Sequence, residues 1–254
     1  MLVDEGGAVI AKPAMEAEVS FYQQAPSALR RWMPAFIGTL ALHMDGEGDD
    51  VEAMVRARGR GKTAIVLENL TFGYAKPCVM DVKLGRRLYD DGASAEKRRR
   101  MQTVSRTTTS GSLGFRVCGM RVHTATGVVE YGKEYGRALT PASIGGALKD
   151  YFAGCDDVQV VEAMIEDLAQ IEGVLETTDV EMYSASLLFL YDAKPGAQVS
   201  SGASESESTD SGEMDICRVR LIDFARSRFT STKDENTLFG MRNLLDLFQQ
   251  YHHG

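Results

Sequence analysis

The sequence predicts an α+β protein built as two lobes around a cleft. Three observations carry that expectation. Strand-like segments crowd the first third, a short connector follows, and the second half turns to helix-period segments. At 254 residues the chain is long enough for one large domain or for two lobes sharing a cleft. The expected division is a strand-rich N-lobe over 1–70 and a mixed α/β C-lobe over 71–254.

Residues 8–12 read as a strand after an Asp4-Glu5-Gly6-Gly7 turn, and 15–24 as a helix whose start suits Pro13. The apolar stretch 35–42 reads as a strand, and the Gly-, Asp- and Arg-rich stretch 43–62 as a mobile loop. Residues 63–70 read as a strand entering the connector Thr71-Phe72-Gly73-Tyr74, and 77–85 as the next strand. Ser94 is an N-cap for a basic helix to about 105, followed by a Thr/Ser/Gly loop over 107–112. Residues 114–123 and 128–132 read as paired strands.

Thr140-Pro141 reads as an N-cap and N1 proline opening a helix to about 152. A second helix covers 158–176, with Val161, Met164, Ile165, Leu168 and Ile171 at helical spacing. Residues 180–191 read as one strand. The Ser-, Gly- and acid-rich stretch 193–215 reads as a disordered loop. A strand over 216–224 ends near Asp223, and an amphipathic helix over 236–251 closes the chain.

Composition sets limits. A hydrophobic share of 44% and a charged share of 25% are ordinary for a globular protein. A net charge of −8 argues against nucleic acid as the main ligand. Cys78, Cys118, Cys155 and Cys217 form no C-x-x-C pair and read as buried thiols of a reducing compartment, so the expected location is nucleus and cytoplasm. No apolar run is long enough for a membrane span, and a monomer is expected.

The most informative stretch is 77–85, Pro-Cys-Val-Met-Asp-Val-Lys-Leu-Gly. Alternate side chains of a strand share a face, so Asp81 and Lys83 point the same way from an otherwise apolar strand. Such a pair suits a site that handles polyanions. It is followed by a basic island in an acidic protein: Arg86, Arg87, Lys97, Arg98, Arg99, Arg100 and Arg106. Lys97, Arg100 and Val104 share one helix face. Lys12 ends a strand and Glu18 lies in the next helix, an arrangement that can aim an ammonium at nucleotide phosphates. On those two residues alone, a surface lysine and an unrelated glutamate is the better reading. Asp223 at a strand end can hold Mg²⁺, or simply cap a turn. Neither a Walker loop nor the H-R-D and D-F-G signatures are present.

Together these pieces resemble the inositol polyphosphate kinase family. Its hallmark P-x-x-x-D-x-K-x-G stands at 77–85, its S-S-L-L-F-like motif at 184–189 as Ser-Ala-Ser-Leu-Leu-Phe, and its I-D-F-A motif at 222–225. The stretch 96–120 looks most like the fungal multikinases of that family. The resemblance implies a protein-kinase-like bilobal fold using ATP and Mg²⁺. It implies Lys12 on ATP phosphates steadied by Glu18, backbone groups of Glu68 and Leu70 on adenine, Asp81 on the ribose hydroxyls, and Asp223 on Mg²⁺. Lys83, Arg100 and Lys133, with Arg121, would meet inositol phosphates. Two departures stand out. Many relatives carry His after I-D-F-A where this chain has Arg226, and the family's Gly-rich segment upstream of the strand lysine is missing, as in a trimmed chain. The implied reaction is phosphorylation of inositol 1,4,5-trisphosphate to tetrakis- and pentakisphosphates. The competing expectation is a scaffold that senses inositol phosphates in transcription-factor complexes.

Overall fold

The computed structural model describes residues 2–41, 63–155, 157–193 and 217–254. The loop expected over 43–62 falls outside them, as does that over 193–215 apart from Ala193.

The first lobe is a four-stranded antiparallel sheet in the order β1-β2-β4-β3. Its strands are β1 (Leu2–Val3), β2 (Val9–Pro13), β3 (Phe36–Ala41) and β4 (Thr63–Glu68). Helices α1 (Glu16–Gln24) and α2 (Ser27–Arg30) lie between β2 and β3. Pro13 does not start the helix. It closes β2 opposite Ala64, and Met15 is the residue ahead of α1.

The second lobe is a five-stranded antiparallel sheet in the order β10-β9-β5-β6-β7. Its strands are β5 (Pro77–Leu84), β6 (Phe115–Thr124), β7 (Gly127–Tyr131), β9 (Ser186–Asp192) and β10 (Cys217–Ile222). A small two-stranded sheet pairs β8 (Val180–Met182) with β11 (Ser227–Phe229). Helices α3 (Ala95–Arg106), α4 (Thr109–Leu113), α5 (Lys133–Ala138), α6 (Ile144–Tyr151), α7 (Val158–Thr177) and α8 (Glu235–His253) complete it.

β5 is the central strand, and its period-two pattern sorts the lobe into two faces. Cys78, Met80, Val82 and Leu84 are fully buried on one side. That side meets the helical layer, where Phe189 of β9 stacks on Phe248 of α8 at 5.0 Å. Val79, Asp81 and Lys83 occupy the other face, half-buried toward the first lobe.

Four further sequence expectations are corrected. Residues 107–112 are not a plain loop, because α4 forms there. Ser, Thr and Gly are weak helix formers, and packing decides the matter. A Cβ on Gly111 would stand 2.5 Å from Ser105 O, so α3 and α4 touch backbone to backbone. The helix expected from Thr140 begins instead at Ile144, because Thr140 O accepts from both Ser143 N and Ile144 N in a turn that holds Pro141. The strand expected over 180–191 is two strands, broken at Ser184, whose φ is +63°. The four cysteines form no disulfide, but only Cys78 and Cys217 are the buried thiols the sequence suggested, with Cys118 and Cys155 half-buried.

Candidate active site

Three elements bring Lys12, Glu18 and Asp223 together. Lys12 Nζ lies 2.8 Å from Glu18 Oε1 and 3.2 Å from Asp223 Oδ1. β2 supplies the lysine and α1 the glutamate. Asp223 is aimed by its neighbour: Phe224 is fully buried, stacked on Phe21 at 4.7 Å and met edge-on by Tyr22 at 5.3 Å. With Phe224 pinned under α1, Asp223 takes φ +68° at the strand exit. Asp tolerates that left-handed conformation better than most residues. Burial opposes the charge on Lys12, but Glu18 and Asp223 outweigh it and raise the lysine pKa above its ordinary value. Lys12 is therefore a fixed cation at any working pH.

On the floor of the cleft, Lys83 Nζ donates to Ser184 O at 2.7 Å and to Ser186 Oγ at 3.1 Å. The break at Ser184 turns that carbonyl toward the lysine, and Ser186 faces Lys83 directly across the β5–β9 ladder. Asp81 lies two residues earlier on the same face. Burial raises its pKa, against the lowering by Lys83, Ser186 and Arg116, while Asp223 adds to the rise. Its Oδ1 is buried with no hydrogen-bond partner. A buried acceptor left open is costly unless a donor arrives.

A cleft of about 370 Å³ joins the Lys12 cluster to Lys83, while Asp81 lies outside its lining. Lys12, Glu18, Lys83, Asp223 and Arg226 all line it, so five sequence-predicted residues meet in one cavity. Two further cations line it that sequence reasoning missed, Arg116 and Arg137. Arg116 pairs directly with Lys83 across the β5–β6 ladder, and its Nη1 is buried without a partner. The alternation along β6 could have placed Arg116 on the Lys83 face, had the register been known. Arg137 sits on α5, a helix the sequence pattern did not announce. The helix α3 contributes Met101 and Val104 to the cleft wall.

Other predicted residues stand apart from this cavity. Arg100 and Lys133 are exposed on α3 and α5, and Arg121 is exposed on β6, 3.9 Å from Glu130 of β7. None of the three lines the cleft. Glu68 ends β4 and receives Arg218 Nη1 at 2.8 Å, while its backbone N–H donates to Ala35 O at 3.0 Å. Any contact of Glu68 backbone with a purine therefore goes through its carbonyl. Leu70 is buried with Tyr74 and Leu190, and Val79, Leu188 and Ile222 pack against them. The result is an apolar pad that includes Tyr74 of the connector.

A divalent cation fits this site. Mg²⁺ is held by one or two carboxylates together with substrate phosphates. Asp223, half-exposed beside Lys12, offers such a carboxylate. Among the described residues no group of three or more His, Cys, Asp or Glu forms a protein-only metal cage.

Comparison with known proteins agrees with this geometry. The inositol polyphosphate kinase family model matches residues 64–249. The inositol polyphosphate multikinase of Schizosaccharomyces pombe is 35% identical over 98% of this chain and 92% of its own length. That of Saccharomyces cerevisiae is 30% identical over 98% of this chain and 94% of its own length. The crystal structure of the inositol phosphate multikinase from S. cerevisiae, in complex with ADP and Mn²⁺, superposes with a TM-score of 0.78 at 32% identity, covering 96% of this chain and 99% of that one. The two lobes, the cleft and the ordered motifs thus have one explanation: the chain belongs to the inositol polyphosphate kinase family and has its kinase-like α+β fold.

Proposed function

We propose that this kinase transfers the terminal phosphoryl group of ATP to hydroxyls of inositol phosphates, beginning with inositol 1,4,5-trisphosphate and continuing to tetrakis- and pentakisphosphates. The observation that carries the reading is the composition of the cleft. The Lys12–Glu18–Asp223 cluster and the cations Lys83, Arg116, Arg137 and Arg226 line one cavity. Four cations converging in a protein of net charge −8 suit an acceptor that already carries several phosphates. The relatives' names and the ADP and Mn²⁺ of the S. cerevisiae structure support the same donor and acceptor classes.

Phosphoryl transfer is mainly positioning and charge neutralisation. The half-buried Val79, Leu188 and Ile222, backed by Leu70 and Leu190, receive the flat base. The open Oδ1 of Asp81 accepts from a ribose hydroxyl. Lys12, held between two carboxylates, faces the phosphates of the donor. Mg²⁺ bound at Asp223 supplies further neutralisation of the phosphate charge. Lys83 is locked by two hydrogen bonds, so it presents its charge to the acceptor without a search through rotamers. Its remaining N–H direction is available to a phosphate oxygen, and Arg116, Arg137 and Arg226 surround the same space. The reading requires no dedicated general base. The absence of a C-x-x-C pair from the sequence supports a reducing compartment, nucleus and cytoplasm.

The test is product analysis. The purified chain with Mg-ATP and inositol 1,4,5-trisphosphate yields tetrakis- and pentakisphosphates in separated inositol phosphate profiles. ATP turnover with no phosphorylated inositol product would sink this reading.

A further inference from the structure

Asp90 and Asp91 follow each other in the turn between β5 and α3, yet they serve different sides of the molecule. Asp91 faces outward. It pairs with Arg87 and with Arg228 at 3.1 Å, and these side chains are 60%, 40% and 56% exposed. Asp90 faces inward. Its Oδ2 lies 3.3 Å from Arg226 Nε and 3.9 Å from Lys97 Nζ, with the three side chains only 28%, 25% and 23% exposed. One carboxylate oxygen thus joins a cation of the loop after β10 to a cation of α3.

The geometry of the Arg226 contact matters. A guanidinium carries five N–H donors in a rigid fork, two on each Nη and one on Nε. Asp90 approaches this fork most closely at Nε. The two Nη groups are the edge that recognises a phosphate, and Arg226 lines the cleft. Lys97 lies one turn ahead of Met101 on the α3 face that also bears Val104, and both of those line the same cleft. Asp90 therefore links the Arg226 guanidinium to the helical wall.

We propose that Asp90 is a positioning residue for the acceptor: acting through Arg226 and Lys97, it holds the Arg226 fork in the orientation that receives a phosphate of the inositol phosphate. The proposal rests on the phosphotransfer reading above. It adds a specificity element, because a fork fixed from behind favours an acceptor whose phosphate meets that one direction. Asp91 provides an internal control, since it makes the same kind of ion pair one residue away without touching a cleft residue.

The experiment is steady-state kinetics of the full chain, with inositol 1,4,5-trisphosphate varied at saturating Mg-ATP, for wild type, Asp90→Asn, Asp91→Asn, Arg226→Ala and the Asp90→Asn/Arg226→Ala double variant. Asp90→Asn raises the KM for the inositol phosphate roughly tenfold and leaves the KM for ATP unchanged. Asp91→Asn shifts the melting temperature but not that KM. The double variant is no worse than Arg226→Ala alone, because the two residues act as one unit. If Asp90→Asn does not fold, Asp90→Ser is read in the same way. An unchanged inositol phosphate KM, an equal change in Asp91→Asn, or additive effects in the double variant overturns the proposal. A wild-type chain that phosphorylates no inositol phosphate overturns the functional reading itself, and Asp90's role with it.

Discussion

Lys12 and Asp223 stand 211 residues apart in sequence and meet at 3.2 Å, one from the end of β2 and the other from the exit of β10. This contact ties the two lobes at the point where donor phosphates are expected.

Asp223→Asn is expected to lower turnover about a hundredfold or more, by analogy with loss of one preorganised electrostatic group. The fold should survive. Asn also accepts a φ of +68°, and a carboxylate 50% exposed contributes little through its ion pair. Thermal melts with ADP check the assignment: Mn²⁺ or Mg²⁺ should add stabilisation to wild type and not to the variant. A variant that keeps full metal-dependent stabilisation would show that the metal sits elsewhere.

Lys83→Ala should chiefly damage use of the inositol phosphate. Removing one charged hydrogen bond to a phosphate costs roughly 1.5–3 kcal/mol, or about ten- to hundredfold in kcat/KM. The KM for ATP should hold. Equal losses for both substrates would assign Lys83 a structural role at Ser184 instead.

Asp81→Asn should abolish efficient catalysis and yet raise the melting temperature at neutral pH. The native pKa of Asp81 is raised, first by burial, with Lys83, Ser186 and Arg116 opposing and Asp223 reinforcing the shift. A raised folded-state pKa means that this group's favourable contribution is complete below the ordinary carboxylate range. It is lost as pH climbs through the native value. Wild type therefore bears a buried charge at neutral pH that Asn lacks, and the gain from Asn should shrink on acidification through that window. A destabilised Asn variant at neutral pH would contradict the account.

Gly136→Ala should loosen α5 from the sheet. A Cβ there would stand 1.9 Å from Val117 O, so the helix must move away from β6. Overpacking of this kind costs roughly 1–3 kcal/mol. Because α5 carries Arg137 into the cleft, the inositol phosphate KM should rise along with the loss of stability. A lower melting temperature with unaltered KM would remove Arg137 from the acceptor site.

Much of this arrangement was legible in the sequence, for a definite reason. β5 alternates with a strict period of two, so the shared face of Asp81 and Lys83 followed from spacing alone. The N-cap at Ser94 was equally local, and its side chain accepts from Lys97 N at 3.2 Å. Residues whose placement depends on distant partners were harder to see. Arg116 entered the cleft only because β6 pairs with β5 in a particular register, with an irregularity between Asp81 and Val82. Helices α4 and α5 are too short to show a period, and close backbone packing at Gly111 and Gly136 holds them. Arg121 is a different case. The family resemblance offered it as an acceptor ligand, and it stands exposed beside Glu130, outside the cleft lining.

The irregularity in the β5–β6 pairing has a further consequence. A bulge pins register, and on β5 register decides which face the charged residues occupy. A slip of one residue would turn Asp81 and Lys83 together into the apolar helical layer. Misfolded copies of this chain would then lose their hold on donor and acceptor in the same event, and would not linger as half-competent molecules that bind ATP and waste it on water.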